Sequence, residues 1–266
     1  MRHLYATDAS VYRELPLAVA LPKDANDIIL LVDFSRTHKL SLIPRAAGTS
    51  LAGQCVGNGI VVDVSKYMSA ILELNVEEHW VRVQPGVVRD ELNAFLEPHD
   101  LYFGPNTSTA NRCMIGGMVG NNSCGSTSIV YGSTRDHVLE LKTVLSDGSE
   151  VVFNTKDIQT KLSKNDFESS LYDHIHSEFS NKSVVEHIKN GFPKASIRRR
   201  NTGYAVDSLL KMKPFDDEGH PFNFCEMLCG SEGTLAFTTE IKLNLVPKPK
   251  PYDVVVAAHF DSVNES

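Results

Sequence analysis

The chain has 266 residues, of which 42% are apolar and 22% charged, with a net charge of −7. That composition is ordinary for a soluble globular protein and long enough to bury a sizeable core. It offers no clustered Lys and Arg for phosphate backbones, so a nucleic-acid partner is excluded. No window approaches the run of about eighteen apolar residues that a membrane helix needs, and "MRHLYATDASVYREL" lacks the apolar centre of a secretion signal. The expected address is cytoplasmic. The five cysteines, Cys55, Cys113, Cys124, Cys225 and Cys229, read as reduced thiols. Cys225 and Cys229 form a CxxxC pair, but a closed metal site needs four ligands and no matching pair lies elsewhere.

In chain order, "LPKDANDIILLVDFSRTHKLSLIPR" predicts a helix capped by Asp24, with Ile28, Leu31, Val32 and Ser35 on one face, followed by the short strand "LSLIP". "GNGIVVDVS" is a glycine turn feeding a nearly continuous apolar run, the mark of a strand covered on both sides. "WVRVQPG" alternates as a strand and stops at Pro85 and Gly86, and "RDELNAFLEPH" places Leu92, Phe95 and Leu96 at helical spacing. "VLELKTVLSDGSEVVF" is two β-rich runs about Asp147 and Gly148, a hairpin turn. The middle of the chain is therefore α+β. Phe167, Leu171, Ile175 and Phe179 predict one amphipathic helix within 156–190, in a helical insertion of about 156–222 that covers the sheet. "TLAFTTEIKLNLVPKPKP" is a closing strand with a Pro/Lys linker, and "YDVVVAAHFDSVNES" begins a fresh strand of another unit. The expected division is 1–248 for one domain and 249–266 for the linker and first strand of a second.

Three segments combine Gly with Ser, Thr or Asn: 44–54 ("PRAAGTSLAGQ"), 104–126 ("GPNTSTANRCMIGGMVGNNSCGS") and 229–240 ("CGSEGTLAFTTE"). Small residues let backbone amides approach a ligand while hydroxyls and amides add hydrogen bonds, a composition suited to phosphate. Neither a P-loop nor a dinucleotide fingerprint is present, so a phosphate would be held by scattered loops.

The ordered set "PRAAGTSLAGQ", "IVVDVSKYMSAIL", "VRVQPGVVRDELNAFL", "GPNTST", "MIGGMVGNNSCGS", "LSDGS" and "GSEGTLAFTTEIKL" resembles the FAD-binding domain of the vanillyl-alcohol oxidase/p-cresol methylhydroxylase (PCMH-type) superfamily over about residues 15–248. It is similar to the FAD-linked branch with glycolate oxidase, D-lactate dehydrogenase and D-2-hydroxyglutarate dehydrogenase. The resemblance implies two α+β subdomains with FAD between them. It implies that Arg45, Ala46, Ala47, Gly48, Thr49 and Ser50 wrap the pyrophosphate, with Gln54 close behind. Pro105, Thr107 and Ser108 would line the path toward the flavin, followed by Gly116, Gly117, Asn121, Asn122 and Gly125. Glu232, Gly233 and Thr234 would contact the adenine or ribose end or close the domain around it. Many relatives attach FAD through a histidine where this chain has Thr49 and Ser50, so the FAD is expected to be noncovalent.

The resemblance further implies an oxidoreductase that passes a hydride from a D-2-hydroxy acid to FAD and sends electrons to a separate acceptor. D-2-hydroxyglutarate is the first substrate expected, with D-lactate or glycolate as alternatives. The rivals are a flavin-binding module with no chemistry of its own and a reductase of the cell-wall precursor type. The branch's base is a histidine in an H-x-H-x-G-D-G-N-like motif, which none of the ten histidines forms, so no catalytic residue is assigned in this stretch. Any iron-sulfur cluster, and any peripheral membrane association, would belong to a longer protein. Asn201 and Tyr204 match the family's N-T-G-Y segment and are assigned to the substrate-side lining. Arg198, Arg199 and Arg200 read either as a solvated charge run or as a source of an arginine for a substrate carboxylate. His137 reads as a satisfied hydrogen-bonding residue or as one facing the cofactor, and His174, His176 and His187 as surface.

Overall fold

The computed structural model describes residues 1–156, 158–194, 196–197, 199, 203–250 and 254–265. Its architecture is α+β, built on two main sheets. The smaller is three-stranded and parallel, with β3 (Ile60–Asp63) between β1 (Ala18–Ala20) and β2 (Leu42–Arg45). Ala18 and Leu42 both stand opposite Ile60, and all four residues of β3 are buried. That is the burial its apolar run predicts. Strand β1 has no signature of its own, since three residues are too few to show a period.

Helix α1 (Ala25–His38) starts where Asp24 accepts a hydrogen bond from the Asp27 amide at 3.1 Å and ends at Lys39, whose φ of 54° turns the chain. It buries Ile28, Val32 and Ser35, as the helical spacing predicts. Ile28 and Val32 join Ile60, Val62, Val64 and Met68 in a core that also takes Val144 and Phe237 from the larger sheet. The two sheets are thus packed through shared side chains.

The larger sheet is antiparallel, in the order β4 (Ile71–Asn75), β5 (Trp80–Val83), β9 (Phe237–Asn244), β7 (Val138–Val144) and β8 (Glu150–Asn154). Strand β9 alternates strictly, burying Phe237, Thr239, Ile241 and Leu243. On its other face Arg82 pairs with Glu140 at 2.7 Å and Lys142 with Glu150 at 3.2 Å. The predicted β7–β8 hairpin forms, with Val144 opposite Glu150. A short pair, β6 (Leu101–Tyr102) with β10 (Val246–Pro247), closes one end.

Helices α2 (Arg89–Leu96), α3 (Ile115–Asn121), α4 (Ser128–Tyr131) and α8 (Cys225–Leu228) complete the layer with the helices of the insertion, the last of which is α7 (Val206–Leu209). The single helix expected within 156–190 is in fact two, α5 (Phe167–Ser180) and α6 (Lys182–Gly191). Asn181 leaves the helical conformation and accepts from the Ser183 amide at 3.0 Å, a cap that starts a new helix. Of the expected stripe, Phe179 is buried and Leu171 and Ile175 pack partly buried against the core, but Phe167 is exposed and Tyr172 is fully buried beside them. Tyr172 lies edge-on to Phe224 at 4.7 Å between ring centroids, and Phe224 to Phe222 at 4.8 Å, so the insertion is locked into the main core.

The fresh strand expected after the linker does not form among the described residues. Residues 254–260 have no regular structure, and Val254, Val255 and Val256 are at least 82% exposed. A strand needs a partner, and none is beside it.

Candidate cofactor site

The three small-residue segments are spread over about 200 residues of sequence but meet in space. The first follows β2, the second runs from β6 into α3, and the third leads from α8 into β9. Together they line one cleft of about 450 Å3. The first segment contributes Ala46, Ala47, Gly48, Thr49, Ser50 and Gln54; the second Thr107, Ser108, Gly117 and Asn121; the third Glu232. A narrow lobe of about 90 Å3 adjoins it, with Arg45, Gly116 and Gly233 in its walls among apolar Val64, Val119 and Phe237.

Glu232 ties the segments together. Its Oε1 accepts from Asn121 Nδ2 at 2.9 Å and from Gln54 Nε2 at 3.4 Å, and its backbone amide donates to the Gly120 carbonyl at 2.8 Å. Burial raises the affinity of this carboxyl for a proton, against the pull of the two amides. The Gln54 Oε1 atom is buried and has no hydrogen-bond partner among the described residues. It is an acceptor waiting for a donor.

Arg45 lies apart from the main cleft. Its guanidinium donates to the Thr7 carbonyl at 2.9 Å and lies 5.3 Å over the Tyr5 ring, pulled there by a carbonyl and an aromatic face. Among the described residues, the cation that lines the cleft is Arg199, whose Nε donates to Cys124 Sγ at 3.1 Å.

Five further expected residues lie outside both the cleft and its narrow lobe. Asn122 is buried, closes α3 at φ 51° and accepts from the Arg135 amide at 2.9 Å. Gly125 stands so close to Asn106 that a Cβ on it would be 1.6 Å from the Asn106 carbonyl oxygen. Pro105 is buried and its carbonyl accepts from Arg89 at 3.1 Å. Thr234 and Tyr204 share a hydrogen bond of 2.6 Å at the surface. Asn201, Arg198 and Arg200 lie outside the described residues.

Arg89 is the residue that the sequence concealed. It is 5% exposed, pairs with Asp90 at 2.8 Å and also reaches the Phe103 carbonyl at 3.4 Å, so it anchors the base of the second segment. At a helix start "RDEL" reads as a solvated charge cluster, and no local signal separates the two cases. Thr109 and Ser123 also line the cleft; they stand inside the quoted small-residue run and were legible as part of it. His137 is buried with its ring nitrogens at 2.7 Å from the Tyr131 carbonyl and 3.3 Å from that of Asn244, a satisfied structural residue. His174 and His187 are exposed, and His176 is half-buried against Phe215. Cys225 is buried and its thiol donates to the Phe153 carbonyl at 3.2 Å. Among the described residues no three His, Cys, Asp or Glu side chains are gathered as a metal would require, and no helix is long and apolar enough to cross a membrane.

Comparison with known proteins names this arrangement. The FAD binding domain family model matches residues 16–154. The chain belongs to that family. FAD is accordingly its cofactor, and the cleft's walls fit such a group: small residues leave room for it, hydroxyls from two segments supply donors, and Gln54 holds an unused acceptor. A D-2-hydroxyglutarate dehydrogenase of Pseudomonas putida is 40% identical over 98% of this FAD-binding chain, and that of Escherichia coli K12 is 36% identical over 97%. The glycolate oxidase subunit GlcD of Bacillus subtilis is 34% identical over 97%. The chain spans about a quarter of the length of the dehydrogenases and 43% of that oxidase subunit. Among solved structures, an alkyldihydroxyacetonephosphate synthase shares the fold at 17% identity with a TM-score of 0.56, over 87% of this chain and 34% of its own.

Proposed function

We propose that the chain is the FAD-binding part of a flavin-dependent dehydrogenase that oxidises a D-2-hydroxy acid, D-2-hydroxyglutarate first, to the 2-oxo acid. The observation that carries the reading is the convergence of three hydroxyl-rich and glycine-rich segments on one cleft. The likeness to D-2-hydroxyglutarate dehydrogenases supports this substrate over D-lactate or glycolate.

In this reading residues 46–50 face the pyrophosphate with their backbone amides and the Thr49 and Ser50 hydroxyls, while Thr107 and Ser108 approach from the opposite wall. Arg199 offsets phosphate or substrate charge. Glu232, Asn121 and Gln54 hold the walls at a fixed separation. Bound FAD supplies the hydride acceptor. No histidine lines the cleft among the described residues, which supports a noncovalent cofactor. We assign the base for the substrate hydroxyl, and the electron acceptor's docking surface, to the three quarters of the dehydrogenases' length that this chain does not span. Residues 249–266 are then the linker and first strand of the next unit.

The test is the visible absorption spectrum of the purified chain, with and without added FAD, before and after acid precipitation. Flavin bands released into the supernatant by acid are expected. A colourless protein that takes up no FAD overturns the assignment of the cleft, and a pigment that stays with the precipitate overturns the noncovalent reading. For the substrate, the flavin of the whole protein should bleach faster under anaerobic conditions with D-2-hydroxyglutarate than with D-lactate or glycolate; the reverse order would replace the first choice.

A further inference from the structure

We propose that Glu232 is a proton-uptake residue of the cofactor cleft: it joins the three segments as a carboxylate in the free chain and takes one proton from water when the diphosphate of FAD enters. This rests on the reading of the cleft as the FAD site. The geometry is what points to it. Both amides that reach Glu232, from Asn121 and Gln54, go to Oε1, so Oε2 is the oxygen left to be protonated. Its backbone is held at φ 53° by the bond from its amide to the Gly120 carbonyl, so the carboxyl cannot swing out without opening the clasp.

Among the described residues, no charged or titratable neighbour makes an ion pair with this carboxyl. The cleft is lined by one other charged residue among those described, Arg199, whose Nε is given to Cys124, and Arg45 on the narrow lobe is given to Thr7 and Tyr5. The remaining titratable groups are the thiols of Cys55, Cys113 and Cys124. Cys55 is pushed up to about 11 by burial and stays neutral. On the reading of this cleft as the diphosphate's, its wall therefore carries a carboxylate that no cation contacts among the described residues. Like charges in a partly desolvated space disfavour ionisation, and a proton on Oε2 changes a repelling group into a hydrogen-bond donor without opening the cleft. Burial already biases the group in that direction. A carboxylate that instead accepted from ribose hydroxyls would stay charged, and binding would release protons or move none.

Calorimetry of FAD binding to the chain, repeated in buffers of different ionisation enthalpy, counts the proton. The expected result is uptake approaching one proton per FAD and an affinity that falls as pH rises, by up to about tenfold per unit. Glu232→Gln, which keeps an oxygen for the Asn121 amide, should bind with no uptake and with a flat pH profile. Zero uptake or release by the unsubstituted chain, or an unchanged pH slope in Glu232→Gln, overturns the proposal and leaves the cleft reading standing. Binding by neither protein at any pH overturns the cleft reading and the proposal with it.

Discussion

Asn121 Nδ2 donates to Glu232 Oε1 at 2.9 Å, joining two residues 111 positions apart and closing one wall of the candidate cofactor cleft on another. Asn121 is the last residue of α3, and Glu232 lies in the turn that leads into β9, so the bond sets how far a helix end stands from a strand start. Asn121→Ala leaves Glu232 with the longer Gln54 contact alone. Loss of a hydrogen bond to a half-buried carboxylate costs about 1–2 kcal/mol. Most of that falls on the cleft, so FAD retained after desalting should drop by about tenfold while the thermal midpoint shifts by only a few degrees. Unchanged flavin occupancy would show that the clasp is dispensable.

Gly48 has φ +63°, and a Cβ there would stand 3.0 Å from Arg45 Nη2. The Arg45 side chain can yield, but a β-branched residue in the left-handed region costs about 1–2 kcal/mol. Gly48→Val should fold with a modestly lowered melting temperature and fail to retain FAD, because bulk on this wall keeps the diphosphate away from the amides. Flavin absorbance per protein at the level of the unsubstituted chain would refute the assignment of residues 46–50.

Two glycines of the second segment should behave unlike one another. A methyl group on Gly125 would fall 1.6 Å from the Asn106 carbonyl oxygen, whereas one on Gly117 would meet only the Ala46 methyl at 3.4 Å. Gly125→Ala must push the two strands of its loop apart and is expected to abolish FAD retention and lower stability. Gly117→Ala, in the interior of α3, should fold normally and reduce affinity by narrowing the cleft. Equal thermal midpoints for the two variants would contradict the close approach.

The insertion is part of the core, so its aromatic contacts should carry stability and not cofactor affinity. Phe222 packs against Phe224 at 4.8 Å and Tyr172 at 5.8 Å. Phe222→Ala should cost about 3–5 kcal/mol in chemical unfolding, with unchanged FAD affinity in the folded fraction. Cys225→Ser, which keeps a donor for the Phe153 carbonyl, should change stability and FAD content far less and release no metal. A stoichiometric metal lost on that substitution would reopen the CxxxC pair as a ligand site.

Acid should weaken the larger sheet through Glu140. Burial raises its proton affinity, but hydrogen bonds from Arg82 and Asn154 more than reverse this and hold the carboxyl below its usual 4.5. A group whose folded value is depressed stabilises the protein above its unfolded value, and that contribution is lost as pH falls through the lower folded value. Urea midpoints should therefore fall below about pH 4.5 in the unsubstituted protein. Glu140→Gln should be less stable at neutral pH and show a shallower acid slope; an identical slope would remove Glu140 from the account.

What local chemistry dictates was legible in the residue string. The apolar run at 60–64, the Asp24 cap, the turn at Asp147 and Gly148 and the alternation of 237–244 each specify an element through side chains a few positions apart. The small residues of the three segments that meet at the cleft were legible for the same reason, because room beside a backbone is a property of the residues themselves. Tertiary structure alone decided which groups those loops present to one another. Arg45 and Arg199 are equally charged in the sequence, but a carbonyl at Thr7 and the ring of Tyr5 hold the first away while the second enters the cleft. Arg89 looks solvated and is buried, and Tyr172, off the expected stripe, is buried alongside Phe179 while Phe167 is exposed. The meeting of Gln54, Asn121 and Glu232 across up to 178 residues depends on two sheets closing on a shared core. Contacts at such separations follow from packing, and a sequence period reports only what neighbours within a turn or a strand can sense.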